Sequence, residues 1–346
     1  MTSWPRSGQP DRCGAMLKDN VVLTCGGKWV GLVVQFRAAM RQTHTLQGGK
    51  LLVADCAPFT PAGCFADGAL TVPPARHPEF VETLLRLCEQ HAVRVVVPHT
   101  SLDMHHLAAH VERFAEHGIT LVCPPPELLE LCYDKLQFAA FAHEEGLCQP
   151  RTYPAEMLGD APLPLFAKRR RGYGSIGAGL CRTLAEAQPA LARFPDLVFQ
   201  EFIAAPELTV DAFINSAGRC NVRVPRIRDK IVDGESVQAH TVRDAGICAL
   251  VDQTIAALAR RGLRGPLNVQ VFAGARPLLI EVNARVGSGS VLGDAATWGR
   301  YFTSILRDAC GEQVDGDPDD YQEGLALYRY LGDVFHVGTR QVVFPQ

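Results

Sequence analysis

No two cysteines in this chain are spaced C-x-x-C, which removes zinc ribbons and thioredoxin-like redox sites from consideration. The twelve cysteines are scattered instead. They suggest no disulfide framework, and thiols in that number favour a reducing cytoplasm. No apolar run reaches the roughly 18 residues of a membrane span. Net charge is only −3 at pH 7, so no field of one sign draws the chain to nucleic acid or to an anionic membrane. The P-loop spacing G-x-x-x-x-G-K-[ST] and the zinc-protease pattern H-E-x-x-H are both missing. There is no internal repeat and no low-complexity tract. The opening stretch, "MTSWPRSGQPDRCGAM", is polar and lacks the apolar centre of a signal peptide. Residues 1–18 are therefore expected to form a disordered extension.

What is present reads as a globular chain of two or three domains, 47% hydrophobic and 21% charged over 346 residues. Its first third alternates apolar strands with helices. "VVLTC" (21–25), "KLLVAD" (50–55), "VRVVVP" (93–98) and "ITLVC" (119–123) are the strands, with helices near 29–42, 79–91 and 102–117. Near-continuous apolar strands separated by helices predict a parallel α/β sheet. "CPPPELLELCYDKLQFAAFAHEEG" predicts a single proline-led helix ending at Gly146. From residue 150 the pattern turns to short strands and hairpins, which predicts antiparallel α+β structure. The expected boundaries are 19–125 for the first domain, 126–320 for the second, and 321–346 for a segment packing back on the body.

Two features are lures. The Gly26-Gly27 turn with Asp55 suggests a dinucleotide site, but "CGGKWVG" is not the G-x-G-x-x-G of that fold. His106 and His110 have helical i, i+4 spacing, yet no acidic partner stands in register to complete a metal site. Stronger signals lie further along. "PLFAKRRRGYGSIGAG" (164–179) is a strand carrying Lys168, followed by basic residues and glycines 172, 174, 177 and 179. Glycines let backbone N–H groups approach an anion, and a lysine adds a point charge. "LVFQEFIAAPELTVDAFI" (197–214) is a strand, a short linker and a second strand, with Glu201 and Glu207 bracketing the linker. Such a hinge can offer an adenine a strand-like backbone and a ribose a carboxylate. In "LNVQVF" (267–272), Asn268 and Gln270 share a face. In "LLIEVNARVGSGSVL" (278–292), Glu281, Asn283 and Arg285 share another. Antiparallel pairing of these two strands would bring Gln270 near Glu281 and Asn283, an oxygen set suited to Mg²⁺ with nucleotide phosphates.

The order of these motifs resembles the ATP-grasp superfamily, most closely the branch of the carbamoyl phosphate synthetase large subunit. In that branch the metal strands read Asn-Val-Gln and Glu-x-Asn-Pro-Arg-Val. The resemblance covers roughly residues 21 to 300. It implies an N-terminal parallel-sheet, Rossmann-like pre-ATP-grasp α/β domain followed by an ATP-grasp α+β domain. The chain departs from the pattern with Ala205 at a usual glycine and Ala284 at a usual proline, both small. "KIVDGES" replaces the Gly-Ile-His stretch of the bicarbonate-activating lobe, which speaks against carboxyphosphate formation. There is one module instead of two, and no glutamine-amidotransferase region.

The resemblance implies roles residue by residue. Lys135 and Lys168 would contact ATP phosphates, with Lys168 also near the adenine and Gly172, Gly174 and Ser175 in a flap that closes over the nucleotide. Glu201, Phe202 and Ile203 would hold the adenine, and Glu207 the ribose. Gln270, Glu281 and Asn283 would hold Mg²⁺ (or Mn²⁺), and Arg285 the transferring phosphoryl group. Arg226 and Arg228 would face the phosphates or the activated substrate, with Arg226 counted as catalytic. The implied activity is an ADP-forming carboxylate–amine ligase working through an acyl phosphate. Its partners would be small-molecule carboxylate and amine substrates, an amino acid or peptide among them. No nucleic acid or membrane is expected, and a homodimer is the candidate assembly. A single-module carboxylate or carbamate kinase and a non-catalytic ATP-binding protein are the alternatives.

Overall fold

A computed structural model describes residues 19–172, 177–232, 234–337 and 340–342. The expected extension 1–18, together with Gly174 and Ser175, lies outside the described residues. Five strands come first: β1 (Asn20–Thr24), β2 (Leu51–Asp55), β3 (Gly68–Thr71), β4 (Val93–Pro98) and β5 (Thr120–Leu121). They pair in parallel in the order β3-β2-β1-β4-β5. β1 is buried throughout except at its first residue, and β4 except at Arg94. That burial on both faces is why these strands read as unbroken apolar runs rather than alternating ones. β3 was not expected; it is short, and only Leu70 in it is buried.

Two antiparallel sheets follow, as expected. The first holds β6 (Thr152–Pro154), β7 (Leu165–Arg169), β8 (Gly179–Cys181) and β9 (Leu197–Glu201) in the order β6-β9-β7-β8. The second holds β10 (Glu207–Ile214), β11 (Cys220–Val232), β12 (Glu235–Thr241), β13 (Gly265–Phe272), β14 (Leu278–Asn283) and β15 (Ala326–Tyr328). Its order is β14-β13-β10-β11-β12-β15, so the C-terminal segment adds an edge strand to it. A separate hairpin joins β16 (Phe335–Val337) and β17 (Arg340–Val342). One core runs from the parallel sheet into the second sheet, with Phe36 of the Val30–Gln42 helix stacked on Phe302 at 4.3 Å. No helix among the described residues is long and apolar enough to cross a membrane.

The single proline-led helix expected to end at Gly146 is two, Pro126–Tyr133 and Lys135–Glu144. The apolar pattern runs on without a break, but Asp134 between them is extended and caps the second helix. Its carboxylate accepts the N–H groups of Leu136 (3.0 Å) and Gln137 (3.2 Å). The same buried carboxylate pairs with Arg170 at 2.8 Å and Arg171 at 2.6 Å, and the Lys135 N–H donates to the Arg170 carbonyl at 3.1 Å. The joint thus fixes the root of the segment that follows β7.

A second buried knot organises the larger sheet. Asp211 on β10 is fully buried and accepts from Arg226 Nε (2.8 Å, β11), Asn268 Nδ2 (2.9 Å, β13) and Ser290 Oγ (2.7 Å). The loop after β14 lies directly on this knot. A Cβ on Gly289 would stand 2.6 Å from Arg226 Nη2, and one on Gly287 would stand 3.0 Å from Asn268 Nδ2. The Gly-Ser run therefore exists because nothing larger fits over the buried guanidinium and amide.

Asp134→Ala is expected to destabilise the protein by about 1–2 kcal/mol, mostly the lost helix cap, because Arg170 and Arg171 are exposed enough to be solvated without it. Burial raises the Asp134 pKa, but the Arg170 hydrogen bond and the Gln137 and Leu136 N–H groups outweigh it and leave the pKa below the ordinary carboxylate value. A depressed folded-state pKa contributes stability that is complete above the unfolded pKa and disappears as pH falls through the folded one. The gap between wild type and Asp134→Ala in urea unfolding should hold above about pH 4 and shrink below it. Arg226→Met should cost about 3–5 kcal/mol, the range for stranding a buried carboxylate. An unchanged unfolding midpoint would remove the knot from the account of stability.

Candidate active site

A cleft of about 380 Å³ lies between the two antiparallel sheets. β7 and β9 supply one wall and β13 and β14 the other. Lys168 alternates with Phe166 on β7, so both face the cleft, with the ammonium 5.7 Å from the Phe166 ring centre. Lys168 Nζ donates to Gln200 Oε1 at 2.8 Å, and Gln200 Nε2 in turn donates to Thr152 Oγ1 at 3.1 Å. Burial lowers the pKa of Lys168; the Glu281 charge opposes this and the Lys135 charge adds to it.

On the facing wall Gln270 stands directly opposite Glu281, and Asn268 opposite Asn283. Asn283 Nδ2 is 3.0 Å from Glu281 Oε1, and Lys135 Nζ is 4.0 Å from Glu281 Oε2. The Glu281 carboxylate is thus not spent in a tight salt bridge. With the amide oxygens of Gln270 and Asn283 it forms an all-oxygen donor set that fits a hard divalent cation. Turning the Asn283 amide over would present its oxygen to the same point. The register slips between Gln270 and Val271, whose partners are Glu281 and Leu279. Ile280 is the extra residue of a β-bulge. Ile280 and Glu281 consequently both line the cleft, one giving an apolar wall and the other a charge.

The β9–β10 connection closes the cleft. Glu201, Phe202, Ile203 and Glu207 all line it. The Ile203 N–H and carbonyl carry no backbone hydrogen bond among the described residues, leaving a strand-like edge for a planar ring to pair with. Glu207 is 3.2 Å from Arg228 Nη1. Arg285 follows the end of β14, donating from Nε to Ser101 Oγ at 3.3 Å and from Nη1 to the Val286 carbonyl at 3.2 Å.

Of the residues singled out from the sequence, the cleft gathers Lys135, Lys168, Gly172, Glu201, Phe202, Ile203, Glu207, Arg228, Gln270, Glu281, Asn283 and Arg285. Arg226 is not among them. Its guanidinium is buried against Asp211, so its expected catalytic place is corrected to a structural one. The difference from Arg228 is one of partners: two residues further along the same strand, Arg228 pairs with a hinge glutamate, whereas Arg226 meets a carboxylate inside the sheet. Gln200, Phe166, Phe272 and Ile280 also line the cleft and were missed. Alternation with Lys168 could have found Phe166, and alternation along "LVFQ" gives no hint that Gln200 would reach a lysine. Asp55, the lure at the first turn, accepts the N–H groups of Gly27 (3.1 Å) and Ala57 (3.0 Å) and so caps its own loop. Among the described residues no group of three or more His, Cys, Asp or Glu is placed to hold a metal.

Residues 21–122 match the family of PylC-like N-terminal domains, and residues 132–289 match an ATP-grasp domain family. No curated protein matches the sequence. Among solved structures, biotin carboxylase from Campylobacter jejuni, as a β-γ-ATP complex, is 15% identical with a TM-score of 0.69, over 88% of this chain and 74% of its own. An L-amino acid ligase from Bacillus licheniformis is 18% identical, TM-score 0.66, over 84% and 74%. N5-carboxyaminoimidazole ribonucleotide synthetase from Thermus thermophilus is 20% identical, TM-score 0.66, over 86% and 79%. At these identities the likeness is one of fold. A parallel sheet, two antiparallel sheets and the cleft between them are accounted for by the two matched segments: the chain belongs to the ATP-grasp superfamily.

Proposed function

We propose that this protein is an ATP-dependent, ADP-forming ligase that activates a carboxylate as an acyl phosphate and joins it to an amine. The observation that carries this is the facing of Gln270 and Glu281 across β13 and β14, in one cleft with Lys135, Lys168, Arg285 and the hinge. Pure nucleotide binding does not require metal-bridged phosphates. A set of cations and oxygen donors around the phosphate end fits transfer of a phosphoryl group. The same reading assigns 19–125 to the N-terminal domain, 126–320 to the ATP-grasp domain and 321–346 to the returning segment. Twelve scattered cysteines with no C-x-x-C pair support a reducing, cytoplasmic setting.

In this reading Ile203 and Glu201 orient the adenine and Glu207 the ribose. Lys168, braced by Gln200, and Lys135 hold the phosphates. Gln270, Glu281 and Asn283 would hold Mg²⁺ or Mn²⁺, which supplies charge neutralisation to the triphosphate. Arg285 holds the transferring phosphoryl group and, next to it, the attacking carboxylate. A carboxylate oxygen of the substrate attacks the γ-phosphorus, the bond to the β-phosphate oxygen breaks, and ADP leaves. The amine lone pair then attacks the acyl carbon, the acyl–oxygen bond breaks, and phosphate departs as the amine loses its proton. Fixed donors in a water-poor cleft favour both steps because they need no reorganisation as charge develops.

The direct test is ADP release across amino acids, dipeptides and small carboxylic acids, with mass spectrometry of the product. Glu281→Gln is expected to abolish turnover and leave far-UV circular dichroism unchanged; full activity at saturating Mg²⁺ would remove the metal role. Lys168→Ala should lower kcat/KM by the equivalent of about 2–4 kcal/mol, the range for losing one preorganised electrostatic donor. A loss well under tenfold would place the phosphates elsewhere.

A further inference from the structure

The parallel sheet changes strand order between β1 and β4, and open α/β sheets receive ligands in the crevice outside the carboxyl ends of such strands. Here the loop after β1 supplies Lys28 and Trp29, and the loop after β4 supplies His99 and Ser101, the partner of Arg285. Arg329 comes from the opposite side, one residue past β15. Its Nη2 donates to the Ser288 carbonyl at 2.5 Å, and its Cζ lies 5.1 Å from the Trp29 ring centre. The Trp29 ring meets His99 edge-on at 5.7 Å.

The crevice gathers positive charge, and the carboxylates around it are already engaged: Asp103, whose charge acts on Arg285, accepts from Thr100 Oγ1 at 2.5 Å and from the His99 N–H at 3.3 Å. Glu235 is paired with Lys28 at 3.1 Å, Asp211 with Arg226 at 2.8 Å, and Glu281 stands nearest Lys135 at 4.0 Å. That leaves Arg285 and Arg329 with no ion pair among the described residues. Arg329 Nε and His99 Nδ1 are buried with no hydrogen-bond partner among those residues. Burial, then the charges of Arg285 and Arg329, lower the His99 pKa to about 3, so the imidazole is neutral at physiological pH. Burial is also the first cause lowering the pKa of each guanidinium. Two unpaired guanidinium groups beside one neutral ring are unfavourable until anions join them.

The proposed ligase reaction, on which this inference rests, places one reacting carboxylate beside Arg285. Arg329 is left over. We infer that the acid substrate carries a second carboxylate, untouched by the chemistry, which Arg329 receives, so that the substrate class is a short acid with two carboxylates, as a diacid or an acidic amino acid. The Trp29 ring beside it and the bond to the Ser288 carbonyl hold the guanidinium in place, and its unused donors suit a carboxylate. In the tautomer with hydrogen on Nδ1, His99 donates to the same group. The segment bearing His99 also carries Ser101, the acceptor of Arg285 Nε, and the His99 ring meets the Trp29 ring that lies beside Arg329, so the two carboxylates would stand a short carbon chain apart.

Thermal shift decides the matter with wild-type protein, Mg²⁺ and a non-hydrolysable ATP analogue. The probes are acetate and butyrate against succinate, glutarate, L-aspartate and L-glutamate at equal concentration. At least one two-carboxylate probe should raise Tm beyond both monocarboxylates. Arg329→Met should weaken that probe at least about tenfold, as expected for a lost charge-assisted hydrogen bond. It should keep the shift produced by the ATP analogue. Arg329→Lys, which keeps the charge and loses the planar fork, should fall between. Equal shifts from one and two carboxylates in wild type would overturn the inference, and that comparison stands alone should Arg329→Met fail to fold. So would an increment that survives Arg329→Met. Absence of any shift with the ATP analogue would instead strike down the ligase assignment itself.

Discussion

The buried Asp211 carboxylate holds the rest of the structure in place. It is fully buried on β10 and takes hydrogen bonds from β11, β13 and the helix that begins at Ser290. A carboxylate removed from water is tolerable only with its charge and lone pairs satisfied. Those partners therefore settle how three strands and the loop after β14 sit against each other. Asn268, one of them, faces Asn283 across the sheet, two residues along from the Gln270–Glu281 pair. The cleft residues are thus set by a knot that never touches the cleft.

The opposite wall is anchored in a similar way. Asp134 breaks a helix that its apolar neighbours would have continued, and in doing so holds Arg170 and Arg171 just after β7. Lys135 begins the next helix at that joint and reaches across to Glu281. Each wall of the cleft thus rests on one buried acid, and each acid is a short side chain with no room for alternative geometry. Long lysines then span the gap from rigid roots, which limits the ordering entropy they lose when they engage a ligand.

Much of this was legible in the sequence where neighbours along one strand carry the message. Glu281 and Asn283 announce a shared face, and the adjacent strand with Gln270 completes it, because alternation is a local rule. The parallel sheet was legible too, because unbroken apolar runs separated by helices are also a local signal. What stayed hidden depends on partners far away in the chain. Arg226 looks the same as Arg228 until Asp211, 15 residues earlier, is seen beside it. The break at Asp134 is invisible because the apolar period runs through it, and only Arg170 and Arg171, 36 and 37 residues on, explain it. Arg329 lies outside any recognisable pattern and gains meaning from Trp29 at the other end of the chain.

The bulge at Ile280 makes the length of the chain part of the site. Most strands in a folded sheet tolerate drift at exposed positions, because a change there alters one contact. In β14 the count of residues is itself the information. Deleting any residue between Leu278 and Glu281 would erase the irregularity and turn either the carboxylate or the isoleucine away from the cleft, while leaving composition nearly unchanged. The length of the strand is therefore as much a part of the site as the identities of Glu281 and Asn283.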